Sequence, residues 1–349
     1  MGLDLFAILL LLAGCYVTWN TGANDAANCI GASVGSGIMS FKFAALLMSV
    51  CVFFGGITVG QRVMSTTGTG ILITTESDYV EHTGEEDGSA VRQYFPEERL
   101  SNIGVFAALI AAGLSVTIAT YYGIPLSTSQ SVVGSMAGIG VGIVGFQGGF
   151  FRLVVLLRIF GSWVISPFLT LIVAYIVYRI MILITGRIKK NVLRWERFLS
   201  VLVIITSGYF SFNLGANAFG AGLGPLLNRF PGQEFNLALM GVFALAVGVF
   251  TFGRNVVETV GTKITRLDYA GAFSAQLAAG LGLQFFSYFG IPVSSSQSIV
   301  GAVVGVGLVQ SARMIDGKRI GLICLSWFVT PACAALMAFV LYKVIIFFV

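Results

Sequence analysis

Gly123-Ile124-Pro125-Leu126-Ser127-Thr128-Ser129-Gln130-Ser131 returns 167 residues later as Gly290-Ile291-Pro292-Val293-Ser294-Ser295-Ser296-Gln297-Ser298. Upstream, Gly104, Phe106, Ala111, Ala112, Gly113 and Leu114 recur at the same offset. Two other stretches recur at an offset of 193. Asn20-Thr21-Gly22-Ala23-Asn24 returns as Asn213-Leu214-Gly215-Ala216-Asn217, and Val63-x-x-Thr66-x-Gly68-Thr69-x-Ile71 as Val256-x-x-Thr259-x-Gly261-Thr262-x-Ile264. The offsets differ by 26, about the length of the segment 76–98. The chain therefore reads as two copies of one unit. Residues 1–186 form the first, with 76–98 inserted, 187–196 form a linker, and 197–349 form the second.

Composition says where such a unit lives. Of 349 residues, 56% are hydrophobic and 10% charged, with a mean hydropathy of +0.91. Soluble domains carry about 25% charged residues, so the unit is expected in a bilayer. A span needs about 20 mostly apolar residues. Segments 3–19, 42–63, 101–122, 153–183, 197–213, 235–253, 268–289 and 320–348 qualify. Shorter Gly- and Ser-rich pieces at 22–38, 66–75, 127–146, 215–227 and 294–310 suit broken helices or re-entrant hairpins lining a cavity. The expected fold is an all-α polytopic membrane protein with roughly 10–12 membrane segments, built from two inverted-topology repeats with broken helices and two re-entrant helical hairpins. The N-terminal apolar run lacks a basic leader and reads as a first span.

Charge sets the orientation. Segment 76–98 holds eight of the fifteen acids, while Arg187, Lys189, Lys190, Arg194 and Arg197 cluster at the join. The positive-inside rule makes the join cytoplasmic. Arg313, Lys318 and Arg319 follow the second Ser-Gln motif, whereas only Arg152 follows the first. One pass, 153–183, separates 146–152 from the join and places 146–152 outside, so the copies are inverted. Inverted repeats are a common build of secondary transporters, with the substrate at the midplane. A structural membrane protein with an old duplication is the plainer reading, but it leaves the buried polar residues unexplained.

Several chemistries find no support. The basic residues form no stripe interleaved with aromatics, so no nucleic acid partner is expected. The five cysteines lack CxxC spacing, and the single histidine, His82, lies in the acidic segment. No Walker A motif and no nucleophile–base pair is present, so an enzyme is not expected, nor any cofactor beyond coupling ions.

Two constellations remain. Gly22-Ala23-Asn24-Asp25-Ala26-Ala27-Asn28 puts a carboxylate in an apolar segment, which costs about 2.5–3.5 kcal/mol at the bilayer centre. Gly22 is expected to let the helix open there. Opened carbonyls such as that of Ala23, the Asn24 and Asn28 amides and Asp25 would make an all-oxygen site suited to alkali or alkaline-earth cations. Asn217 would supply a related site with Ala218 in place of the acid. Asn255 and Glu258, three apart on one helix face, are further cation candidates. An Asp and two Asn that merely join helices would be the bland alternative. The paired Ser-Gln motifs form the second constellation. Each follows Gly-Ile-Pro and opens a Gly-rich apolar helix, whose hydroxyl-lined N-terminus could cradle an anion. Thr128, Ser129 and Gln130 would face Ser295, Ser296 and Gln297 around one tetrahedral oxyanion. Ordinary capping of two buried helix starts is the competing account.

With these residues in view, the chain resembles the inorganic phosphate transporter (PiT) family of sodium- or proton-coupled permeases. Residues 22–37 are similar to its N-terminal signature, and the two Pro-x-Ser-[Thr/Ser]-Ser-Gln-Ser motifs to its hairpin tips. The resemblance implies both termini outside, phosphate between the tips, and sodium near Asp25, with Ser127 and Ser294 added to the cation set and Asp25 also facing the phosphate. Two departures stand out. The first Val-x-x-Thr motif carries Ser65 where the family usually has an acid, and the second copy reads Asn217-Ala218 rather than Asn-Asp. Oxygen-rich surroundings favour sodium, with protons or proton-coupled metal-phosphate as the alternative, and an anion channel as a different class. The expected setting is the cell membrane, and the oligomeric state, a homo-oligomer included, is left open.

Overall fold

A computed structural model describes residues 5–68, 71–72, 102–122, 126–145, 150–188, 191–227, 229–230, 232–254, 257, 267–310 and 317–348. The acidic segment 76–98, Asn255 and Glu258 lie outside the described residues. Those described form ten helices: α1 (Leu5–Gly35), α2 (Phe41–Gly68), α3 (Asn102–Tyr121), α4 (Thr128–Val144), α5 (Leu153–Arg187), α6 (Val192–Leu223), α7 (Glu234–Gly248), α8 (Tyr269–Tyr288), α9 (Ser295–Gln310) and α10 (Gly317–Phe348). The α7 helix runs on into a π-helical turn, Val249–Gly253. Among the described residues, seven helices, α1, α2, α3, α5, α6, α7 and α10, are long and apolar enough to cross a membrane, and α4 and α9 are shorter apolar helices. The chain is an all-helical, multi-pass membrane protein.

Its outer face fits that solvent. α5 exposes Leu157, Phe168, Ile172 and Ile176, and α10 exposes Leu322, Leu325, Phe328 and Leu336. In water such a belt would be a sticky patch; against lipid it is neutral.

Inside lipid, helices associate through close packing of small residues rather than hydrophobic exclusion. That packing follows the sequence offsets. A Cβ on Gly22 of α1 would overlap the backbone oxygen of Leu245 in α7, and one on Gly215 of α6 would overlap that of Val52 in α2. Gly215 and Leu245 lie 193 residues beyond Gly22 and Val52. Gly55 abuts the Phe212 carbonyl, and its equivalent Gly248 abuts that of Trp19. Gly134 of α4 meets the Pro331 carbonyl of α10, and Gly301 of α9 meets the Pro167 carbonyl of α5. Accordingly α2 packs on α6, α1 on α7, α4 on α10 and α9 on α5. α1 and α6 cross antiparallel: Gly14 lies against Gly222, and Ser33 bonds Ser207 at 3.1 Å.

The expected opening of the chain at Gly22 does not occur. α1 is one unbroken helix through residues 20–28, fusing the pieces 3–19 and 22–38. Gly22 is there because a neighbouring backbone needs the space, not because the helix breaks. Likewise 197–213 and 215–227 join as α6 and its terminal 3₁₀ turn. The two hairpins are α3–α4 and α8–α9, the only pieces of the short set that stand as separate helices among the described residues besides their long partners.

Candidate functional site

The hairpin tips are built by capping. Ser127 has extended backbone (φ −90°, ψ 113°), and its Oγ accepts the Gln130 N–H at 3.3 Å. Ser294 Oγ accepts the Gln297 N–H at 3.2 Å. Each cap contributes about 1 kcal/mol. The capping account thus holds for Ser127 and Ser294, whose hydroxyls are turned onto their own helices. It does not cover the residues that follow, which open α4 and α9 with N–H groups that lack intrahelical partners.

Each tip is then tied to the other. Ser129 Oγ donates to the Val293 carbonyl at 3.0 Å, and Ser296 Oγ donates to the Leu126 carbonyl at 3.4 Å. Each is also tied to a helix. The Asn24 Oδ1 of α1 accepts the Leu126 N–H at 3.1 Å, and the Asn217 Oδ1 of α6 accepts the Val293 N–H at 3.0 Å. Asn24 and Asn217, expected as cation ligands, therefore already hold hairpin backbone with the oxygens such a role would use. The Ala23 carbonyl lies inside a continuous helix, so the expected opened ligand is not there. That reading failed because a glycine signals helix opening and close packing equally well.

Asp25 and Asn28 come to the tips from the same helix. Asn28 Nδ2 reaches Ser296 Oγ at 3.0 Å, Ser295 Oγ at 3.2 Å and Asp25 Oδ1 at 3.4 Å. Asp25 is 3% exposed and lies by the hydroxyls of Ser295 and Thr128. Both side-chain heteroatoms of Gln130 and the Gln297 Oε1 are buried with no hydrogen-bond partner. Leaving such groups unmet costs about 1–3 kcal/mol each. A fold that caps and braces these tips so fully, yet leaves these atoms unmatched, has donors and acceptors to offer a guest. The described contacts bring together Asp25, Asn28, Thr128, Ser295 and Ser296. Asn255 and Glu258 cannot be added, since they lie outside the described residues.

Sequence reasoning missed the braces and clasps. The signal was available: Leu126 and Val293 sit at one offset and Asn24 and Asn217 at the other, so one bond predicts its mate. The partnership itself was not legible, because it joins residues far apart in the chain.

A family model for the phosphate transporter family matches residues 21–338. A protein named as a phosphate permease in Pyrococcus horikoshii is 28% identical, over 99% of this chain and 98% of its own length. A chloroplastic inorganic phosphate transporter of Arabidopsis thaliana is 26% identical, over 96% of this chain and 71% of its own. The solved structure of a sodium-dependent phosphate transporter superposes with a TM-score of 0.84, at 24% identity, covering 99% of this chain and all of that one. With the family model spanning most of the chain, the protein belongs to the phosphate transporter family.

Proposed function

We propose that the chain is a secondary active transporter that imports inorganic phosphate together with sodium ions, by alternating access around the hairpin tips. The carrying observation is the set of unpartnered buried atoms on Gln130 and Gln297, in the first turns of two facing helices. Helix starts favour anions through free N–H groups and the helix dipole. Phosphate would sit between the tips, held by Thr128, Ser129, Gln130, Ser295, Ser296 and Gln297. Sodium would sit by Asp25 and Asn28, with Ser127 and Ser294 near it and Asn255 and Glu258 as candidates for a further ion. The sodium-dependent name of the structural neighbour supports this choice of ion.

Coupling follows from charge. Divalent phosphate entering against 100 mV, inside negative, faces about 4.6 kcal/mol, twice the cost of one charge. Two sodium ions cancel that, and a third makes uptake electrogenic. The two-repeat division at 187–196, with the repeats inverted and both termini outside a cell membrane, is part of the same proposal. Its support is the recurrence of glycine–carbonyl contacts at the sequence offsets and the antiparallel crossing of α1 and α6.

Radiolabelled phosphate uptake into proteoliposomes, with sodium and pH gradients imposed separately, tests this. Saturable uptake that follows the sodium gradient and is lost in Asp25→Asn supports symport. Uptake driven by the pH gradient alone would replace sodium with protons, and non-saturable flux without counterflow would make the protein a channel.

A further inference from the structure

The two asparagine clasps are equivalent in sequence but not in state. In both, Oδ1 holds the N–H of the residue before the cap. The amide nitrogens differ. Asn217 Nδ2 donates to the Val293 carbonyl at 2.7 Å, so it grips the tip residue at both of its backbone groups. Asn24 Nδ2 donates instead to Thr120 Oγ1 at 2.8 Å, a hydroxyl on the arm of its own hairpin. The counterpart of Thr120, at the offset of 167, is Ser287 near the end of α8. Ser287 is fully buried and its Oγ has no partner. The second copy thus keeps a hydroxyl where the first copy uses one, and leaves it idle.

The tip carbonyls differ in the same sense. That of Val293 receives two donors, Asn217 and Ser129, at 2.7 and 3.0 Å. That of Leu126 receives Ser296 at 3.4 Å. Arg62 adds to the asymmetry by donating to the Tyr288 carbonyl at 2.9 Å and stacking on the Tyr288 ring at 4.9 Å. The equivalent ring, Tyr121, is 79% exposed. Hairpin α8–α9 is gripped at its tip, and in hairpin α3–α4 the amide has shifted to the arm.

Resting on the phosphate-transport reading, we infer that Thr120 and Ser287 are positioning residues of a two-position clasp, and that the two copies hold its two positions. A cycle between oppositely facing states exchanges them: Asn24 moves from the Thr120 hydroxyl to the Leu126 carbonyl as Asn217 moves from the Val293 carbonyl to the Ser287 hydroxyl. Each move trades one hydrogen bond for another, so neither state strands a buried amide. This keeps the states close in energy, as a carrier requires. It also explains why an idle hydroxyl persists in a buried position.

The inference fixes signs. Thr120→Val removes the partner used now and favours the exchanged state. Ser287→Ala removes the partner needed later and favours the present state. One such bond shifts the equilibrium by roughly 3- to 10-fold. The readout is a pair of spin-label distances in purified full-length protein, one between positions 54 and 118, the other between their equivalents 247 and 285. Phe54, Ile118, Val247 and Phe285 are all exposed. The expected result is that the two variants shift the distance populations in opposite directions, while Thr120→Ser and Ser287→Thr, which keep the hydroxyl, match the parent. Shifts in the same direction, or none in well-folded variants, would overturn the clasp. Because the distances are read without phosphate, they stand apart from the uptake assay: opposite shifts with no phosphate uptake would sink the transport reading and leave the exchange in place.

Discussion

The two ends of the α1–α6 crossing show how far the copies have diverged. At one end Ser33, Ser207 and Gln276 form a closed polar cluster. Gln276 Oε1 accepts from Ser207 at 2.9 Å and Thr206 at 3.3 Å, and its Nε2 donates to the Cys29 carbonyl at 3.0 Å and Ser33 at 3.4 Å. At the other end the equivalent positions are Leu226, Gly14 and Leu109, with Leu226 against Gly14 and both leucines fully buried. The first end is held by a satisfied hydrogen-bond network, the second by dispersion and fit. Several glycines that bring backbone to backbone, Gly22 and Gly215, Gly55 and Gly248, and Gly134 and Gly301, nevertheless recur in both copies. A helix frame repeats where main chains touch, because no substituent fits there. Side chains between the helices are free to differ, provided every buried polar atom finds a partner.

Substitutions can break this comparison in order of size. Gly22→Ala and Gly215→Ala each force a methyl against a backbone oxygen, and each should destabilise the protein by about 3 kcal/mol in detergent unfolding. A mild Gly215→Ala beside a severe Gly22→Ala would mean that the two frames are not equivalent. Leu109→Gln carries the polar solution to the dry end, where no partners wait, and should cost about 2 kcal/mol by the same measurement. The converse, Gln276→Leu, should cost only about 1 kcal/mol. The Ser207 hydroxyl can turn its proton to the Val203 carbonyl, and Ser33 keeps its bond to that of Ile30. If Gln276→Leu proved the costlier of the pair, the polar end would have a role beyond packing. The smallest effect belongs to Arg62→Gln, which loses an exposed cation–π contact and an exposed hydrogen bond to the Tyr288 carbonyl and should change stability by about 0.5 kcal/mol; its thermal midpoint should barely move.

Much of the clustering at the tips was legible from residue types. Hydroxyls after Gly-Ile-Pro at the head of an apolar helix announce a helix start. A carboxylate in an apolar run announces a partner or a guest. Asp25, Asn28, Thr128 and Ser295 do meet as those patterns require. The use of each oxygen was not legible. Asn24 and Asn217 read as ligands because an amide oxygen is a fair cation donor, yet the nearest claimant is the backbone N–H of Leu126 or Val293. Ser129 and Ser296 read as cradle hydroxyls, and each also braces the opposite tip.

The sequence alone determined the all-helical membrane class, the repeat and the residues that gather at the tips. These follow from composition and spacing, which act locally along the chain. Only the tertiary structure decided that α1 stays closed at Gly22, and which group each buried polar atom serves. Gly22 permits either an opened helix or a close crossing, and the Leu245 carbonyl packed against it selects the second. Asn24 and Asn217 have the same chemistry, and the group that stands within 3 Å of each amide nitrogen sends one to a hydroxyl and the other to a carbonyl. A hydrogen bond is settled by proximity after packing, and packing brings together residues that no local pattern connects.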